Sequence, residues 1–229
     1  MSIIAIVPAR GGSKRISKKN IKAFLGKPII TYAIENALKS NLFDEVMVST
    51  DDKEIADVAI EFGAKVPFLR SDKNSDDYAT TIDVITEVIN SYKKIGKVFK
   101  YACCIYPCTP LLTKEKLNES FRVLENGNFD CVFPIIKYGF PIQRAVKVNG
   151  NLVEMFQPEH LITRSQDLDS SYHDAGQFYF FNVEKLISKQ KLLTNNTSFI
   201  ELSEMEAQDI DNMVDWELAE VKYKMLHSI

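Results

Sequence analysis

The chain has 229 residues, 45% of them apolar, with 28 basic and 31 acidic side chains and a formal net charge of -3. That length and apolar content can bury a core without staples, and the near balance of charge excludes a protein built around nucleic acid or an anionic membrane surface. No apolar run approaches the roughly 18 residues that span a bilayer, and the start MSIIAIVPAR lacks a charged export segment, so a cytoplasmic protein with no membrane partner is expected.

In chain order, SIIAIVP reads as a fully buried first strand. GKPIITYAIENALKS reads as a helix with Pro28 in its first turn and apolar residues at Ile30, Ala33, Ile34, Ala37 and Leu38. EVMVST is a second strand. DDKEIADVAIEFG opens with acids suited to a helix N-terminus and closes at Gly63, before a third short strand, KVPFL. A helix from about Thr80 to Tyr92 follows, then a strand YACCIYP, a helix TKEKLNESFRVLENG capped by Thr113, and a strand DCVFPII. Strands alternating with helices imply parallel pairing with helices on both faces. The expected fold class is therefore α/β: a Rossmann-like three-layer α/β/α sandwich with a mainly parallel sheet, spanning 1–229 as a single domain.

The alternation breaks at 135–176, where Gly, Pro, Gln and aromatics dominate and AVKVNGNLVEM predicts a hairpin turning at Asn149-Gly150. An inserted lobe is expected there. QFYFFN then returns to the sheet, and NMVDWELAEVKYKML forms a terminal helix with Val214, Leu218, Val221 and Met225 along one side. Cys103, Cys104, Cys108 and Cys131 show no metal-binding spacing and read as small buried hydrophobes.

Chemistry concentrates in two places. The loop after the first strand, Arg10 to Asn20, stands where parallel α/β sheets hold phosphates. Gly11 and Gly12 allow close backbone approach to an anion, Ser13 donates, and Arg10, Lys14 and Lys19 carry positive charge. A triphosphate fits this better than a single phosphate. Neither GxxxxGK followed by Ser or Thr nor GxGxxG is present, which argues against an ordinary kinase or a nicotinamide-dependent dehydrogenase. The second place is QDIDN. On an extended segment Asp209 and Asp211 point the same way and can share one hard cation, with Mg²⁺ the natural candidate. Helix capping is the alternative: Asp211 or Asn212 precedes the terminal helix, with Asp215 in its first turn.

PARGGSKRI followed by KN resembles the nucleotide-binding signature of the CMP-sugar synthetases, the cytidylyltransferases that activate sialic acid and related acidic sugars. The resemblance extends along nearly the whole chain. STDDKEIADVA, AKVPFLRSD, SDDYATTIDV, CCIYPCTPLL, TRSQDL, YHDAGQFYFF and QDIDNMVDWELAE are similar to the branch acting on pseudaminic acid.

The resemblance implies that Arg10, Ser13, Lys14 and Lys19 contact CTP phosphates, with Ala9, Gly11 and Gly12 in the same loop and Asn20 at the nucleoside end. Arg70 and Thr81 match cytidine-binding positions. Asp209 and Asp211 hold Mg²⁺, and with Arg10, Lys14 and Lys19 they form the expected catalytic set. Tyr106 replaces the glutamine of the sialic acid enzymes' Gln-Pro-Thr-Ser-Pro-like loop. With Arg164, Gln166, His173, Gln177, Tyr179 and Phe180, it makes up the implied sugar site. His173 beside Asp174 suits substrate contact or structural hydrogen bonding better than general-base work. The implied substrates are CTP and an acidic nine-carbon keto sugar, pseudaminic acid ahead of sialic, legionaminic or eight-carbon acids. The resemblance also implies a homodimer through the lobe, where Tyr138, Phe140 and Arg144 lie. A non-catalytic nucleotide-binding module is the reading from another class, and the paired carboxylates argue against it.

Overall fold

The computed structural model describes residues 2–229. Strand β1 (Ile3–Pro8) sends Ile3, Ala5 and Val7 to one face and Ile4 and Ile6 to the other, the alternation that a strand imposes. The chain continues through β2 (Ala23–Phe24), β3 (Lys27–Pro28), α1 (Ile30–Ser40), β4 (Glu45–Ser49), α2 (Lys53–Glu61), α3 (Thr81–Lys94), β5 (Tyr101–Ile105) and α4 (Lys114–Gly127). Then come β6 (Cys131–Lys137), β7 (Val146–Asn149), β8 (Leu152–Met155), β9 (Tyr172–Asp174), β10 (Phe178–Asn182), α5 (Val183–Lys189), β11 (Thr197–Leu202) and α6 (Met213–His227).

The central sheet has the order β11, β6, β10, β5, β1, β4, with β9 beside β6. Strand β1 pairs in parallel with β4 and β5, and β11 with β6. Strand β10 runs antiparallel to β5 and β6, and β9 antiparallel to β6. The expected mainly parallel sheet is thus corrected to a mixed one with parallel core strands. The cause is the lobe: the chain leaves at the end of β6 and returns there without a crossover helix, so the returning strands must run backwards.

Both faces are covered. Ile3, Ala5 and Val7 pack with α1, α2 and α4 through Ile34, Ile55 and Phe121, while Ile4, Ile6 and Met47 pack with α3 and α5 through Ile85, Val88 and Leu186. This is the three-layer arrangement. A third cluster joins Ile16, Phe24, Ile29, Tyr32, Ile210, Trp216 and Ala219. Phe24 lies at its centre, with ring centroids 5.3 Å from Tyr32 and 5.5 Å from Trp216, both edge-on. The cluster fastens α6 to the loop after β1.

Helix starts follow their capping residues. The Asp52 carboxylate accepts from the Glu54 and Ile55 amides, Thr80 and Asp83 form a capping box, and Thr113 accepts from Lys116. Gly63, just past α2, takes a φ of +90°, the left-handed conformation that glycine adopts without strain.

Three further expectations need correction. Pro28 is not in the first turn of α1: it pairs with Ala23 in a small hairpin turning at Leu25-Gly26, and the helix begins at Ile30. KVPFL forms no strand. Lys65 makes a single parallel bridge to Met47, and Pro67, without an N–H, cannot extend it. The apolar side of α6 is exposed, with Val214 at 74% and Leu218 at 45%, while Trp216 and Ala219 are buried instead. The helix carries two apolar stripes, and the fit of the Trp216 ring against Phe24 decides which one turns inward.

Between β6 and β9 the chain forms the lobe. Strands β7 and β8 pair as a hairpin with Gly150 at φ +61°, and Val148, Leu152, Phe156 and Ile162 are exposed. Among the described residues no helix is long and apolar enough to cross a membrane.

Candidate active site

Two cavities open at the carboxyl end of the parallel strands, one lined by Arg15 and Lys19, which bond to Asp211 and Ile210, and the other lined by Asp209. The first, about 360 Å³, is lined by Pro8, Arg10, Ser13, Lys14, Arg15 and Lys19 among others. Ala9 is buried and its amide donates to the Ser49 carbonyl, which fixes the loop as it leaves β1. The Gly11 amide donates to Asp51 Oδ1 at 2.9 Å. A Cβ at Gly11 would fall 2.7 Å from Asp52 Oδ2, so the loop passes under the α2 cap only as glycine, whereas Gly12 meets open space. Buried Asn20 donates from Nδ2 to the Arg10 carbonyl and accepts from the Cys108 thiol at 3.4 Å.

The cations of this loop all have partners. Arg10 donates to Asp77 Oδ1 at 2.7 Å and to the Asp76 carbonyl, and Lys14 pairs with the same Asp77 carboxylate. Arg15, to which sequence reading gave no role, sits 2.7 Å from Asp211 Oδ1. Lys19 Nζ donates to the Ile210 carbonyl at 2.8 Å, placing the loop's last cation between the two aspartates. Hydrogen bonds from Lys14 and Arg10 hold the Asp77 carboxyl below the usual carboxylate range.

At Asp209, burial and then the neighbouring Asp211 charge push the carboxyl up, against the pull of Lys19. Two neighbouring carboxylates beside this basic loop suit a hard divalent cation, because Mg²⁺ is usually bound by one or two carboxylates with further oxygens completing its shell. The capping role falls to Asn212, whose side chain accepts from the Val214 and Asp215 amides.

Neither Arg70 nor Thr81 lines the first cavity. The Arg70 guanidinium is buried and donates to Ser49 through Nε at 3.1 Å, and burial lowers its pKa. Thr81 Oγ1 lies 3.3 Å from Tyr106 Oη.

The second cavity, about 460 Å³, is lined by His173, Asp174, Gln208, Asp209, Lys222 and the end of β6 among others. The Tyr179 hydroxyl donates to Asp174 Oδ2, and burial followed by that bond raises its pKa. His173 Nδ1 is 2.8 Å from the Asp174 carbonyl, and its ring lies beside Tyr138.

The implied sugar residues therefore scatter. Of them only His173 lines this cavity, while Tyr179 reaches its wall through Asp174 and Tyr106 packs beside Tyr179. Gln166 lines an adjoining groove with Tyr138 and Phe140, and Arg164 pairs with Asp167 on the lobe. Gln177 is buried and spends its amide on the Glu206 carbonyl at 2.7 Å, a structural bond. Phe180 is corrected outright: it is wholly buried in the core, stacked on Phe43 at 5.7 Å, because alternate residues of β10 face opposite layers.

The profile of the cytidylyltransferase family matches residues 4–223. The chain belongs to that family. As a cytidylyltransferase it is 42% identical over 228 residues to the pseudaminic acid cytidylyltransferase of Campylobacter jejuni subsp. jejuni serotype O:2, covering 99% of this chain and 98% of that one. It is 31% identical to the CMP-N,N'-diacetyllegionaminic acid synthase of Legionella pneumophila subsp. pneumophila, over 96% and 95% of the two chains. Among solved structures, a CMP:2-keto-3-deoxy-manno-octonic acid synthetase complexed with CTP superposes with a TM-score of 0.73 at 17% identity, over the full length of both chains. That likeness establishes the fold of this cytidylyltransferase: a mixed α/β sheet with parallel core strands.

Proposed function

We propose that this cytidylyltransferase condenses CTP with pseudaminic acid to give CMP-pseudaminic acid and pyrophosphate. The anomeric hydroxyl attacks the α-phosphate, the P–O bond to the β-phosphate breaks, and the hydroxyl proton passes to solvent or buffer. The observation that carries the reading is the Lys19 bond to Ile210, which joins the phosphate loop to the paired aspartates. The 42% identity to a pseudaminic acid enzyme supports the choice of acid.

In this reading Arg10, Lys14 and Lys19 draw the triphosphate into the first cavity and neutralise the charge that grows on departing pyrophosphate. Arg70 and Thr81 bound the cytidine side, where polar groups left unpaired by another base select against it. Asp209 and Asp211 would hold Mg²⁺, which supplies positive charge at the reacting oxygens when bound. The sugar occupies the second cavity, and most of the rate comes from aligning two substrates across the aspartate segment. Residues 135–176 serve as the dimer-forming and sugar-facing lobe, consistent with exposed Val148, Leu152, Phe156 and Ile162, which a second copy would cover.

The test is pyrophosphate release from CTP and Mg²⁺ with pseudaminic, legionaminic and N-acetylneuraminic acids in parallel. Turnover with pseudaminic acid well above the others is expected. Turnover with another acid alone overturns the substrate, and no release with any of the three favours a nucleotide-binding module.

A further inference from the structure

Lys222 is a half-buried cation without an acid partner. Its ammonium donates to the carbonyls of Glu204 at 2.7 Å and Ala207 at 2.8 Å, which uses two of its three N–H groups. Among the described residues no carboxylate stands within 4.0 Å of it, although the Glu204 charge is near enough to act on it. It lines the second cavity, which also contains Asp209. A half-buried ammonium held by two neutral carbonyls keeps a charge and a donor that an incoming anion can use.

The other charges of that cavity are differently placed. Asp174 is engaged by the Tyr179 hydroxyl and by the Gly176 amide at 2.8 Å, so its carboxylate points at protein donors. Lys137 is the second lysine of the lining, but it is exposed at the end of β6, and among the described residues nothing hydrogen-bonds its ammonium. Lys222 alone combines a fixed position, partial burial and a spare donor. Its two carbonyl bonds hold it on the segment that leads into Asp209.

We propose that Lys222 is a specificity-determining residue that binds the carboxylate of the acidic sugar substrate. The inference rests on the activity proposed above. The carboxylate replaces the missing counter-ion, takes the third N–H, and sets the sugar's C1 end at the Asp209 side of the cavity, which turns the neighbouring anomeric hydroxyl toward the nucleotide. A neutral analogue at C1 forgoes the charge-assisted bond.

The experiment compares pseudaminic acid with its C1 carboxamide, by calorimetric binding and by steady-state turnover. The proteins are the full-length parent chain, Lys222→Met, Lys222→Gln and Lys137→Met, with thermal unfolding as a check on folding. Lys222→Met should raise the KM for the acid by roughly 10–100-fold and bring the acid-to-carboxamide preference near one, with the KM for CTP held within about twofold. Lys222→Gln keeps donors for the two carbonyls without the charge and should lose the same preference, so a variant that fails to fold leaves the other to decide. A merely structural lysine would weaken acid and carboxamide equally. An unchanged preference in the Lys222 variants, or its collapse in Lys137→Met instead, overturns the proposal. If the parent chain uses a different acid, the proposed substrate falls, and the same comparison with that acid and its carboxamide still judges Lys222.

Discussion

The two cavities beside Asp209 differ in how their charges are balanced. On the nucleotide side Arg10 and Lys14 share Asp77, Arg15 holds Asp211, and Gly11 donates to Asp51, so protein carboxylates occupy the places that phosphates are expected to take. On the sugar side Lys222 has only carbonyls. The difference follows from the ligands proposed for each. A triphosphate brings several charges and can displace exposed ion pairs worth about 0–1 kcal/mol each, whereas a single carboxylate gains most from a cation that nothing else has claimed. The third core cluster joins the sides, since Ile16 belongs to the loop, Ile210 to the aspartate segment and Trp216 to the helix that carries Lys222.

The severest break should come at the seam. Asp211→Ala is expected to lower kcat by about 10³-fold or more with thermal unfolding little changed, because it removes half of the paired site and leaves the Asn212 cap in place. Retention of most of the kcat would remove the aspartate pair from the chemistry.

Next in size is the shared anchor. Trp216→Ala removes the α6 ring that packs on Phe24 in the third cluster and should cost about 3–5 kcal/mol in denaturant unfolding, with both substrate KM values rising together. A rise in only one KM would mean that the two cavities are supported separately.

A smaller effect of opposite sign tests the paired side. Asp77→Asn frees Arg10 and Lys14 and should lower the KM for CTP by about 2–5-fold while the sugar KM stays put. A higher KM for CTP would show that Asp77 supports the nucleotide instead of competing with it. Smallest of all, Leu218→Ser on the exposed stripe of α6 should shift unfolding by less than about 0.5 kcal/mol at low protein concentration. A larger loss that grows with protein concentration would place that stripe at a subunit contact.

Much of the molecule was legible from local pattern. The first strand, the capped helices at Asp52, Thr80 and Thr113, the hairpin at Gly150 and the basic loop all rest on signals a few residues long, and each element stands where those signals put it. The reversed direction of β10 was not legible, since a strand's own residues do not state which neighbour it meets or from which end it enters. Phe180 fails for a related reason: one residue of register separates the two faces of the sheet, and Phe180 packs on the α1 and α4 side while Tyr179 packs on the α3 and α5 side. Arg15 and Asp77 were in view, within the basic loop and within SDDYATT, but nothing near either names its partner.

What the sequence by itself determined is the alternating α/β plan, the basic loop after the first strand and the two aspartates on one extended segment, because hydrophobic period, capping and residue chemistry act over a single turn or strand. Only the tertiary structure decided which charges meet. Arg10 and Asp77 lie 67 residues apart, Lys19 and Ile210 lie 191 apart, and Lys222 meets the carbonyls of Glu204 and Ala207. Those relations depend on where loops converge at one end of a sheet, and short-range pattern carries no record of that.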